Sequence, residues 1–134
     1  MIQTSESVGA AVAAQQPVVA LESTVISHGL PFPHNLNLAR SMEGEVREHG
    51  AQPATIGVVG GVPTVGMSDA QIEHFAQASG VLKLSRRDIA YAVAMARDGA
   101  TTVAATMALA AATGVGAAGA ANAQTAPAPM IVPC

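Results

Sequence analysis

Unbroken apolar runs alternate along this chain with stretches of helical period. Pro17-Val18-Val19-Ala20-Leu21 is an apolar run of strand length, rich in β-branched residues. With no polar alternation, it predicts a strand buried on both faces, as in a parallel sheet. Leu30-Pro31-Phe32-Pro33 carries two prolines in three positions and must be loop. From Asn35 to His49 the period turns helical: Leu38, Ala39, Met42 and Val46 recur at three- and four-residue spacing, and Glu43 stands four before Arg47. Asn35 is the expected N-cap and Gly50 the closing residue. Ala54 to Val59 is a second strand candidate, ended by Gly60-Gly61, and Val62 to Gly66 reads as a tight extended excursion. Ser68-Asp69-Ala70-Gln71 has the capping-box pattern and opens a helix to about Ala78, stopped by Gly80. Val81 to Ser85 is a third strand candidate. A helix is expected from Arg87 to Arg97, with Asp88 near its positive end. Thr101 or Thr102 then caps a helix running to Ala112, closed by Gly114.

This alternation of strand and helix predicts an α/β fold with helices on a mostly parallel sheet. Loops after the strands would then line one edge, where such folds place ligands. Three segments follow. Residues 1–16 are small and polar and read as an N-terminal extension, frayed or a short helix. Residues 17–114 carry the alternation. Residues 115–134 are a low-complexity tail of Ala, Gly and Pro in which no period and no function is legible.

Composition narrows the classes. The 134 residues fit one domain at most, and half of them are hydrophobic while only 11% are charged, which excludes a disordered charged tail. Six basic against nine acidic side chains argue against a general nucleic-acid binder, which needs clustered cations. Cys134 is the only cysteine, so a disulfide framework and a cysteine-only metal site are excluded, and an intracellular, cytoplasmic setting is expected. No basic segment precedes an apolar run at the N-terminus, so no secretory leader is expected. The chain from Gly99 onward carries no charge, but Ala, Gly and Thr insert weakly into lipid, so no membrane span is expected.

Candidate chemistry sits at the ends of these elements. Glu22 follows the first apolar run, where a carboxyl serves as a general acid or base; a solvated glutamate at a strand end looks the same in sequence. Ser23, Thr24 and Ser27 add hydroxyls that orient a polyol or phosphate, or cap turns. His28 and His34 flank the double-proline loop without a nearby carboxylate, and His49 and His74 have no partner in sequence. Gly57-Val58-Val59-Gly60-Gly61 reads either as a phosphate-cradling turn or as a tight turn after a strand. Lys83, the only lysine, lies between Leu82 and Leu84 near Arg86 and Arg87; it holds a phosphate or simply faces solvent, and the arginines either add to a positive focus or start a helix paired to Asp88.

Taken together, Val18 to Pro33, Pro53 to Ile56 with Gly60-Gly61, Lys83-Leu84-Ser85-Arg86-Arg87-Asp88, and Gly99 to Met107 resemble the pseudouridine-5′-phosphate glycosidases, the indigoidine-synthase-A-like family. The resemblance covers roughly Pro17 to Gly114. It implies an α/β/α sandwich, a manganese-dependent lyase and a homotrimer. The implied reaction is reversible cleavage of the C–C glycosidic bond of pseudouridine 5′-phosphate to uracil and ribose 5-phosphate. Glu22 matches the family's proton donor, and Lys83 and Val103 match substrate-contacting positions. Family chains are more than twice this length, and the metal-ligand aspartate and the lysine nucleophile come after the matched region. The implied expectation is the N-terminal part of such an enzyme, inactive alone, with no metal ligand of its own. Two alternatives remain: a non-catalytic remnant that associates through a sheet edge, and a sugar-phosphate-binding module using Gly60-Gly61 and Lys83.

Overall fold

One eight-residue strand, β3 (Gln52–Val59), organises the molecule. The computed structural model describes residues 1–115 and the backbone of Met130–Val132. In chain order the elements are β1 (Gln3–Thr4), α1 (Glu6–Ala13), β2 (Val18–Leu21), a π-helical turn (Val25–Gly29), α2 (His34–Glu48), β3, β4 (Val62–Val65), α3 (Asp69–Gln77), β5 (Leu82–Leu84), a 3-10 turn (Arg86–Asp88), α4 (Ile89–Ala94), β6 (Gly99–Thr101), α5 (Val103–Ala112) and β7 (Met130–Val132).

The sheet follows the order β1-β4-β3-β2-β7, with β6 also paired to β3 and β5 to β6. The pairs β1/β4, β2/β3, β2/β7 and β5/β6 run parallel. β3 is antiparallel to both β4 and β6, so the parallel-rich expectation is met in a mixed sheet. Gly60 and Gly61 make the reversal between β3 and β4: both have positive φ (57° and 86°), as a two-residue turn matched to strand twist requires.

Alternation along β3 divides the core. Ala54 and Ile56 face α1 and α5, where they pack with Val8, Ala11, Val18 and Leu109. Thr55 and Gly57 face the other layer. There Val25, Ile26, Leu36, Ile72 and Phe75 form a second cluster beneath the π turn, α2 and α3. Helices thus cover both faces of the sheet. A Cβ at Gly57 would stand 2.9 Å from Met67 Sδ and 3.1 Å from Phe75 Cε2; the glycine lets that layer close onto the strand.

Several elements depart from the sequence pattern. Asn35 lies inside α2 rather than capping it; the helix starts at His34. Buried, Asn35 donates through Nδ2 to the carbonyls of Ile26 (2.7 Å) and Ala76 (2.9 Å), tying three elements together. The helix expected over 87–97 is shorter, a 3-10 turn and then α4, and it stops where Ala96 takes a positive φ of 51°. Gly99–Thr101, expected to be a helix terminus, is strand β6. Val8 and Ala11 of α1 are buried, so the N-terminal segment joins the core. In the tail, Met130–Val132 forms a strand beside β2. The rest of the low-complexity reading, from 116 to 129 and at 133 and 134, lies outside the described residues. Among the described residues, no helix is long and apolar enough to cross a membrane.

Candidate active site

β2 and β6 lie on the same side of β3 and run toward each other. β2 pairs with Gln52 to Thr55, whereas β6 pairs with Gly57 and Val58, so their carboxyl ends meet near Ile56. Buried hydroxyls stitch this junction. Ser23 N–H donates to the Thr101 carbonyl (3.2 Å), and Thr101 N–H donates to Ser23 Oγ (2.8 Å). Thr101 Oγ1 donates to the Ile56 carbonyl (2.7 Å) and lies 2.8 Å from Thr106 Oγ1 on α5. Thr24 Oγ1 donates to the Thr101 carbonyl (2.9 Å), and Ser27 Oγ to that of Phe75 (3.1 Å). These hydroxyls therefore hold the backbone around Glu22; the turn-fixing reading of Ser23, Thr24 and Ser27 is the one the geometry supports.

Glu22 itself is only 5% exposed. It shares the wall of a small apolar cavity with Val25, Ile26, Ala39, Met42 and Thr55. A second carboxylate stands nearby: Thr55 Oγ1 donates to Glu43 Oε2 at 2.6 Å, and Glu43 also meets Arg47 at 3.3 Å. Glu43 is thus engaged by protein donors, while among the described residues no hydrogen bond reaches the Glu22 carboxylate. Sequence spacing paired Glu43 with Arg47 but could not show Thr55, twelve residues away on strand β3.

Lys83 occupies β5, level with Ala100 of the neighbouring β6, and is exposed. Val103 is the first residue of α5, half-buried, directly after the N-cap Thr102, whose side chain accepts from Ala105 N–H. β5 and β6 are parallel, so Lys83 and Val103 belong to strand ends that run toward the Glu22 junction. Thr102 N–H closes that edge by donating to the Leu84 carbonyl (3.0 Å). The first-turn N–H groups of a helix favour anions, and α5 opens here.

Other candidates fall elsewhere. Gly60 N–H donates to Asp98 Oδ1 (2.7 Å) and Gly61 N–H to the Arg97 carbonyl (3.1 Å). The glycine turn already holds the protein's own carboxylate, so the tight-turn reading replaces the phosphate cradle, and with it that part of the sugar-phosphate-module alternative. His74, unpartnered in sequence, meets Asp98 Oδ2 at 2.6 Å. His49 caps the end of α2, its Nδ1 2.8 Å from the Glu45 carbonyl. His28 and His34 are exposed. Asp88 takes the Ser85 hydroxyl (2.7 Å) and N–H (2.9 Å) rather than an arginine; this holds its carboxyl below the usual range. A cleft of about 360 Å³ between α1, α2 and α3 contains Arg40 and Arg47, but Arg40 is held bidentately by Asp69 and Arg47 by Glu43. Among the described residues, no group of three His, Cys, Asp or Glu side chains is placed to hold a metal ion.

Residues 7–121 match the family model described as indigoidine synthase A like protein. A protein of Roseiflexus sp. named pseudouridine-5′-phosphate glycosidase is 65% identical over 85% of this chain and 38% of its own length. One of the same name from Herpetosiphon aurantiacus is 66% identical over 81% of this chain and 36% of its own. Among solved structures, a prealnumycin C-glycosynthase in complex with ribulose 5-phosphate aligns with a TM-score of 0.75 at 42% identity, covering 85% of this chain and 36% of that one. An indigoidine synthase A-like protein from Thermotoga maritima gives 0.74 at 35% identity, covering 85% and 37%. The chain therefore spans a little over a third of the length of the curated relatives it matches. By the extent of the matched residues and by the fold, this chain belongs to the indigoidine synthase A-like family.

Proposed function

We propose that this chain carries the acid-bearing part of a pseudouridine-5′-phosphate glycosidase, cleaving pseudouridine 5′-phosphate reversibly to uracil and ribose 5-phosphate. The observation that carries the reading is the junction of β2 and β6, which buries Glu22 beside the edge that bears Lys83 and the start of α5. The relatives named for this activity support it.

The chemistry explains why one acid serves. A C-glycosidic bond has no leaving oxygen to protonate. When it breaks, the electron pair goes to the uracil ring carbon, which must gain a proton. Glu22 delivers that proton in cleavage and removes it in synthesis. Lys83 and the first N–H groups of α5 bind the sugar phosphate. An amine that captures the opened sugar is supplied, in this reading, by residues beyond the matched third of the relatives. Manganese, a trimeric assembly and a cytoplasmic setting belong to the same proposal. Among the described residues no ligand set for the metal is present.

Ribose 5-phosphate should raise the thermal midpoint of the chain, and Lys83→Ala should abolish that rise. No rise, or one that persists in Lys83→Ala, overturns the assignment of the sugar-phosphate site. In a uracil-release assay with manganese the chain alone should be silent. Turnover would show that it contains the whole machinery.

A further inference from the structure

The helices on the two faces of the sheet differ in chemistry. α2 and α3 present exposed charge, with Arg40, Glu45 and Glu48 on the first and Asp69 and Glu73 on the second. The opposite cover is made of α1, α4 and α5, which pack on the Ala54, Ile56 and Val58 side of β3. α4 and α5 contain no charged side chain, and α1 contains only Glu6.

That uncharged cover is open to water. Ala92 is the buried residue of α4, and it packs with Val58 and Leu84. Tyr91 is 54% exposed, Val93 41%, Met95 at the helix end 55%, and Met107 of α5 53%. A surface helix turns polar residues outward, and one that is apolar all round belongs in an interior. Tyr91 and Met95 stand four residues apart and so share one face of their helix. The helix end is firmly seated: a Cβ at Gly61 would stand 2.6 Å from Ala96 Cα, so the β3/β4 turn lies directly against it. A fixed, exposed apolar surface of this kind marks a contact face.

The family match says what lies against it. The matched residues end at 121, shortly after α5, and the chain covers only 36–38% of its curated relatives. Because α5 belongs to the uncharged cover, the relatives' further length follows on from this layer. Interfaces between parts that stay together are apolar, like a domain core cut in two, and a face without charge suits such a neighbour.

We propose that the α4–α5 face is a docking surface for a separate polypeptide that corresponds to the part of the relatives beyond the matched third, seated on Tyr91, Met95 and Met107. The inference rests on family membership and on the exposed face, and does not depend on the glycosidase reading.

Co-expression tests it. The whole chain, affinity-tagged, is produced together with an untagged segment of the Roseiflexus protein comprising everything after its matched residues. The same segment of the Herpetosiphon protein repeats the experiment, so a defect in one segment does not decide the outcome. The segment should co-purify in equimolar amount. Met95→Asp and Met107→Asp should each cut the captured amount about tenfold, because an unpaired carboxylate is costly to bury. Glu48→Lys, on the charged cover, should leave capture unchanged. Both methionines are exposed, so the new charges spare the core, and far-UV circular dichroism of each purified variant checks the fold. Failure of both segments to co-purify overturns the proposal, as does undiminished capture by both folded aspartate variants. Self-association of the chain that Met95→Asp abolishes and that persists beside the segment would give the face to a second copy, and overturns it too. Capture without uracil release from pseudouridine 5′-phosphate upholds the surface and counts against the glycosidase reading alone.

Discussion

Near Ile56, two strands arrive end to end and the polar groups that meet there are sealed from water: Ser23, Thr101 and Thr106 are fully buried. At the far end of β3, around Gly60-Gly61, the polar groups that meet are solvent-facing. The Asp98 bond to Gly60 N–H and the His74–Asp98 pair both lie at exposed positions. Both ends tie together elements distant in sequence. Only at the first would loss of a partner strand the remaining groups in a dry interior, which water cannot repair. The difference explains why a candidate acid sits at one end and a simple reversal at the other: rigid placement of a side chain needs over-determined backbone, and only the buried junction supplies it.

Removing the centre of that junction should have the largest effect. Thr101→Val keeps the shape but deletes the hydroxyl that donates to Ile56 and lies against Thr106 and Ser23. Leaving such buried groups unpaired costs roughly 1–3 kcal/mol each. We expect a loss of about 3 kcal/mol in urea unfolding, recovered in large part by Thr101→Ser. An effect below about 1 kcal/mol would mean that water reaches the junction. Next comes Gly57→Ala, whose new methyl would press on Met67 and Phe75. The methionine is flexible, so about 1–2 kcal/mol is expected, read from the same unfolding curves.

Most long elements were legible because their signals are local. The apolar run of β2, the Ser68/Gln71 capping box and the Thr102 cap each declare themselves within a few residues, and all are present. What was not legible depends on contacts far apart in sequence. β6 is Gly-Ala-Thr, with little strand propensity of its own. It exists because β3 and β5 hydrogen-bond to it, and because Gly99 leaves room for the Leu84 side chain. Asn35 looks like a cap until Ile26 and Ala76 are seen to need its amide. At the candidate site the position of Glu22 after an apolar strand was readable. Its burial, and the hydroxyl lock formed across 78 residues by Ser23 and Thr101, were not.

The reversal at the other end should be tolerant by comparison. A Cβ at Gly60 meets nothing within 4 Å, so Gly60→Ala costs only the left-handed backbone, about 1 kcal/mol. A calorimetric midpoint lowered as far as that of Thr101→Val would erase the contrast between the two ends.

The smallest expected effect is exposed and depends on pH. The Ser85 hydroxyl and N–H hold the Asp88 carboxylate below its usual range, with a lesser contribution from Arg87. A carboxyl depressed in the folded state binds fewer protons there than in the unfolded chain. Its contribution to stability is therefore complete above the unfolded value and disappears as pH falls through the folded one. Asp88→Ala should lower the thermal midpoint slightly at neutral pH, because the capping box at the end of β5 is lost. The difference from the unaltered chain should shrink as the solution becomes strongly acidic and the carboxyl takes up its proton. A midpoint difference that stays constant from neutral to strongly acidic pH would place its origin in packing rather than in the carboxylate charge to which Ser85 donates. The end of β5, which leads toward Glu22, would then be set by shape alone.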